Sequence, residues 1–163
     1  MEKTSLLQQI PLFQNLTYGD LKSVAEIAVE VKYKAHQQVF AEGDVGDSLF
    51  VVESGVVRVL KKGREGNEEV ARLSSGQHFG EMALIDEEHR SATVEAAEDT
   101  KLIKIKRADW ESLLGQDFPL AYQVYKAFTK HLCRRLRQTT KDLTSMMDLA
   151  KELRKFNYFP ESW

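Results

Sequence analysis

A chain of 163 residues, 42% hydrophobic and 29% charged, has the length and balance of one globular domain that builds a core without cross-links. Its net charge of −2 excludes a global pull toward nucleic acid or an anionic membrane, so any bound anion must be held by a local arrangement. The single cysteine, Cys133, excludes an intramolecular disulfide, and no run approaches the roughly 20 apolar residues of a bilayer span. The first residues also lack the apolar stretch of a signal peptide. The expectation is a cytoplasmic protein, with Cys133 a half-buried structural thiol on a helix.

In chain order, Leu6, Leu7 and Ile10 lie at helical spacing and Pro11 stops that helix. Residues 18–31 place Leu21, Val24, Ile27 and Ala28 on one face of a second short helix. From Val39 the pattern changes to alternation, and residues 48–53 and 56–60, rich in Val and Phe, read as strands. Gly43–Asp44, Gly46–Asp47 and Ser54–Gly55 punctuate them as turns. The polar run 61–67 joins residues 56–60 to residues 68–73 as a hairpin loop, and further strands follow at 91–96 and 100–106. Roughly eight short strands at this spacing predict an α+β fold, an antiparallel β-roll or jelly-roll-like barrel rather than a parallel sheet.

After Lys106 a short helix is expected around residues 108–114, and Pro119 suits the first turn of a long one reaching to about Lys155, with room for a bend. The predicted layout is one domain over residues 1–155: N-terminal helices to about 36, the roll over 37–106, and C-terminal helices over 107–155. An aromatic tail, 156–163, follows; it either covers a pocket, docks on a partner chain or hangs free.

Within the long helix, Leu132, Leu136, Thr139, Leu143, Met146, Ala150 and Leu153 follow one another at spacings alternating four and three. That heptad seam predicts a homodimer through residues 132–153, against the alternative of a helix packed on its own domain. Three heptads alone make a marginal coiled coil, so the roll must help.

The stretch with chemistry is 79–94, FGEMALIDEEHRSATV. Gly80 lets a ligand approach the backbone, and a short helix beginning at Glu81 aims the N–H groups of Met82 and Ala83 at an anion. Arg90 supplies a planar donor fork suited to phosphate, Glu81 accepts from a sugar hydroxyl, and Ser91 adds a hydroxyl beside Arg90. Each part alone has a bland reading, a solvated charge or a turn. Together they describe a pocket for a sugar joined to a monoanionic phosphate.

In this order the residues resemble the phosphate-binding cassette of the cyclic nucleotide-binding domain family, as Phe79-Gly80-Glu81-Met82-Ala83-Leu84, five residues, then Arg90-Ser91-Ala92-Thr93-Val94. Residues 39–59 and the early IPLFQNL are similar to the family's framework. The resemblance implies Glu81 on the ribose 2′-hydroxyl, Arg90 and the Ala83 N–H on the cyclic phosphate, and Gly80 at the sugar. It also implies Val59 and Val70 against the base, and Ser91 at phosphate or base. Arg134-Arg135-Leu136-Arg137-Gln138-Thr139-Thr140 resembles the dimerisation helix of the transcription activators of that family. Thr139 and Thr140 then stand where two hydroxyls reach an adenine amino group, one from the partner subunit; a register role for Thr139 on the seam competes with this. Arg134, Arg135 and Arg137 are otherwise read as a solvated face.

The resulting expectation is a non-enzymatic regulatory module, with no cofactor beyond its ligand, that binds cAMP in preference to cGMP and passes binding to the long helix, the dimer and an unidentified downstream protein. Ser91 is the argument for guanine. One alternative is a dimeric interaction scaffold of the same fold without nucleotide binding, which intact Glu81 and Arg90 disfavour. The other is a truncated relative of a transcription regulator; no helix-turn-helix follows the long helix before Trp163, so no DNA-binding domain is expected. His36, His78, His89 and His131 show no metal-ligand spacing in sequence, and no nucleophile–base pair is evident.

Overall fold

The computed structural model describes residues 2–64 and 66–155, so the aromatic tail lies outside the described residues. Helix α1 (Lys3–Gln8) buries Leu6 and Leu7, and α2 (Tyr18–Ile27) starts at a capping box. There the Asp20 N–H donates to Thr17 Oγ1 at 3.2 Å, and the Thr17 N–H donates to Asp20 Oδ2 at 3.0 Å.

The second helix, expected to reach Val31, ends at Ile27, and strand β1 (Ala28–Tyr33) begins at once. Ala-Val-Glu-Val-Lys-Tyr alternates with β-branched residues, and every residue finds a partner along the last strand, from Ala28↔Ile105 to Tyr33↔Thr100. A further helical turn would forgo that ladder. Ile27 and Ala28 fit a helical face and a strand start equally, which is why periodicity alone misplaced the boundary.

The remaining strands are β2 (Gln38–Phe40), β3 (Ser48–Ser54), β4 (Val56–Lys62), β5 (Asn67–Ser74), β6 (His78–Phe79), β7 (Thr93–Ala96) and β8 (Thr100–Lys106). They form two four-stranded sheets, ordered β1-β8-β3-β6 and β2-β7-β4-β5, with antiparallel pairing throughout. The first sheet is covered on both sides. Leu49, Val51, Ile103 and Ile105 face a helical core with Leu7, Phe13 and Trp110, whereas Phe50, Val52 and Leu102 face Val57, Phe79 and Val94 inside the roll. Residues 48–52 are therefore buried without interruption, as a strand between two layers must be.

Helix α3 (Arg107–Gln116) buries Trp110 and Leu114 and leads to α4 (Phe118–Lys155), a single helix of 38 residues. Leu120, Val124, Ala127 and Phe128 of α4 are buried, but the helix then leaves the roll. From Leu132 to Leu149 its large apolar side chains are exposed, Leu136 at 68%. Cys133 is exposed as well, a correction to the expected half-buried thiol: it lies beyond Phe128, the last fully buried residue of α4, where no layer is left to cover it. Among the described residues, no helix is long and apolar enough to cross a membrane.

Candidate functional site

A cavity of about 490 Å³ opens between the second sheet, residues 79–94 and α4. Gly80, Glu81, Met82, Ala83, Arg90 and Ser91 all line it, and Val59 and Val70 form its apolar side. These eight sequence-predicted residues are thus brought to one place.

Local folding explains the arrangement. Strand β6 is pinned to β3 through Phe50↔Phe79 and Val51↔His78. Gly80 then turns the chain at φ 74°, ψ 18°, in the left-handed region, into a 3-10 helix over Glu81–Leu84. Leu84 anchors that helix in the helical core, and the Asp86 carbonyl accepts from Arg107 Nη1 at 3.0 Å. The Ala83 N–H donates to the Gly80 carbonyl at 3.2 Å. The helix rule leaves the preceding N–H groups, of Glu81 and Met82, without an intrahelical acceptor.

Arg90 is fixed at both backbone groups: its N–H donates to the Asp44 carbonyl at 2.7 Å, and its carbonyl accepts from the Gly43 N–H at 2.9 Å. The residue is only 7% exposed. Its Nη2 donates to the Ser48 carbonyl at 2.8 Å, its guanidinium carbon sits 4.1 Å from the Phe40 ring centroid, and its nearest carboxylate, Asp47 Oδ1, lies 3.7 Å away. Its Nε has no hydrogen-bond partner among the described residues. Burial pushes the guanidinium below its usual range, with Asp47, Asp44 and Glu81 opposing that shift. Arg90 is a desolvated cation with spare donor capacity at the wall of a cavity, which suits an incoming anion.

Beneath it, Phe40, Phe50 and Phe79 pack with ring centroids 5.3 to 5.9 Å apart, a rigid floor that holds the guanidinium in place. Glu81 is buried too, and its Oε1 accepts from Arg135 Nη1 of α4 at 2.5 Å. Arg135, read from sequence as part of a solvated face, is therefore the link between the cassette and α4. His78 and His131 also meet at the rim, 5.7 Å between ring centroids. Burial lowers the His78 pKa, as do His131 and Arg135, against the pull of Glu81.

Sequence reasoning missed the contributions of Phe40, Ser48, His78, His131 and Arg135. The signal for the last two was only that they fall four residues apart on one helix face. Thr139 and Thr140 do not line the cavity of the single chain; both are exposed, and Thr140 Oγ1 donates to the Leu136 carbonyl at 2.8 Å.

A β-roll that presents a buried arginine, a buried carboxylate and a left-handed glycine to one apolar-sided cavity defines a nucleotide-binding regulatory domain. The description of the cyclic nucleotide-binding domain matches residues 30–117, and the chain belongs to that family. A cAMP-dependent protein kinase regulatory subunit of Aspergillus niger is 35% identical over 68% of this chain and 26% of its own length. The crystal structure of the Thermus thermophilus catabolite activator protein superposes with a TM-score of 0.74 at 33% identity, covering 85% of this chain and 63% of that one. A Toxoplasma gondii PKA regulatory domain, crystallised with cAMP, superposes with a TM-score of 0.68 at 25% identity, covering 81% of this chain and 49% of that one. The chain thus spans about a quarter of the fungal relative's length.

Proposed function

We propose that the chain is a non-enzymatic module that binds cAMP in preference to cGMP and passes binding on through α4 to a second copy of itself and a downstream protein. The observation that carries this is Arg90: a buried guanidinium whose nearest carboxylate, Asp47, stands 3.7 Å off and largely exposed, beside Glu81, on one cavity. The cyclic phosphate neutralises Arg90 and takes donors from the Met82 N–H and from the Ala83 N–H, which exchanges its 3.2 Å bond to the Gly80 carbonyl for the phosphate, while the ribose 2′-hydroxyl donates to Glu81. Gly80 admits the sugar, and Val59 and Val70 cover one face of the base. Among its relatives, the Toxoplasma domain holding cAMP supports adenine; Ser91 is the residue through which guanine would compete. Titration with cAMP and then cGMP tests the reading: cAMP is expected to bind more tightly, and equal or reversed affinities contradict the base assignment.

Coupling follows from Arg135. Because its partner Glu81 also receives the ribose, ligand alters the contact that ties α4 to the roll. A ligand shifts a conformational equilibrium only by its differential contacts, and Glu81–Arg135 is where those contacts differ. Thr139 and Thr140 lie about one turn further along α4, where a paired helix brings them toward the base.

The exposed seam supports the dimer. Leu132, Leu136, Leu143 and Met146 face solvent on one stripe, a cost of roughly 2 kcal/mol per large side chain left unburied. The double substitution Leu136→Glu, Leu143→Glu is expected to convert the dimer to monomer in analytical ultracentrifugation while leaving the roll's thermal unfolding within a few degrees. A wild-type monomer at micromolar concentration contradicts the pairing.

A further inference from the structure

Three side chains from three elements converge at the cavity. His78 comes from β6, Glu81 opens the 3-10 helix three residues later, and His131 projects from α4. One ring nitrogen of each histidine and one Glu81 oxygen all lie within 4.8 Å of one another. Two imidazoles and a carboxylate are the donor set that zinc and its neighbours in the first transition row take, with a fourth position left for water. Donors bound to one zinc ion stand about 3.4 Å apart, given metal–ligand bonds of roughly 2.0–2.1 Å in a tetrahedron. Rotamer changes and a small approach of α4 supply the remaining contraction.

The surroundings suit a cation. Glu81 is buried and already holds a cationic partner, Arg135 of α4, so its carboxylate is placed to receive positive charge. Arg135 engages Oε1 of Glu81 and so orients the carboxylate, as outer partners of metal-bound carboxylates do.

We propose that His78, Glu81 and His131 form a site for a divalent transition metal of the zinc class. The bound ion fastens α4 to the cassette, and it excludes cyclic nucleotide from the same chain by occupying Glu81. The exclusion rests on the nucleotide reading above; metal binding does not.

The test uses the full chain with zinc, and cobalt as a visible probe. Equilibrium dialysis is expected to show one zinc equivalent per chain at micromolar free metal, and cobalt to give the intense visible absorption of a four-coordinate site. H78Q, H131Q and E81Q are each expected to weaken zinc at least tenfold, whereas H36Q and H89Q bind as the wild type does. Absence of a bound equivalent, or undiminished binding by both H78Q and H131Q, overturns the site. Should one variant fail to fold by circular dichroism, the other and the wild-type cobalt spectrum decide. In the second arm, saturating zinc is expected to raise the apparent Kd for cAMP at least tenfold in the wild type and not in H131Q. Zinc bound through these residues with an unchanged Kd overturns the exclusion alone. A chain that takes zinc but no cAMP even without metal overturns the nucleotide reading and leaves the site standing.

Discussion

Arg90→Gln is expected to weaken cyclic nucleotide binding by roughly a hundredfold or more, with a smaller cost in folded stability. Removing one partner of a desolvated, hydrogen-bonded charge pair costs about 3 kcal/mol, and each 1.4 kcal/mol is a tenfold change in affinity. The folded protein responds less because Arg90 is only partly satisfied without ligand: Nη2 reaches the Ser48 carbonyl, but Nε lacks a partner among the described residues and Asp47 is 3.7 Å away. Glutamine gives up the contact with Phe40, the bond to the Ser48 carbonyl and the Asp47 pair but also removes a buried charge, so thermal unfolding is expected to shift by about 1–2 kcal/mol, less than the loss in binding. Titration calorimetry beside a melting curve reads both. Loss of binding accompanied by collapse of the fold would assign Arg90 a structural role, and undiminished binding would remove it from the site.

Gly80→Val is expected to cost both stability and ligand. Gly80 stands at φ 74°, and a Cβ there would lie 2.5 Å from Arg90 Nη1 and 3.0 Å from the Ser48 carbonyl. A branched residue held in the left-handed region costs about 1–3 kcal/mol. The new methyl groups also push the guanidinium off the Ser48 carbonyl, its shortest hydrogen bond. The expected result is a melting temperature lowered by several degrees, with cAMP binding weakened as far as in R90Q. In a double variant with R90Q, the Gly80 effect on binding should largely vanish, because both changes act through the same guanidinium. Additive losses would contradict that coupling.

Much of the cassette is legible in sequence because its chemistry is local. Gly80, Glu81 and Arg90 fall within eleven residues, and a left-handed turn, a 3-10 helix and the anchors at Leu84 and Asp86 deliver them to one cavity. Strands of seven or eight residues were also readable, since alternation runs long enough to be seen. Strands β2 and β6 have three and two residues and exist because their neighbours pair with them, which no local period records. The same holds for β1, whose ladder partners lie about seventy residues away, from Tyr33↔Thr100 to Ala28↔Ile105.

The part of the site drawn from α4 was not readable. Arg135 reaches Glu81 across 54 positions, and only the packing of Leu120, Val124 and Phe128 on the core sets where that helix passes. A basic residue on an otherwise solvated helix carries no mark of this. His78 and His131, unremarkable as a spacing, become neighbours for the same reason.

The central claim, that this cavity is built for a cyclic nucleotide held between Arg90 and Glu81, is tested most directly by calorimetric titration of cAMP into the wild-type chain. Saturable heat with one site per chain, more affine than cGMP and abolished by R90Q, is the predicted result. No heat at millimolar cAMP, or equal heat from the wild type and R90Q, would contradict it.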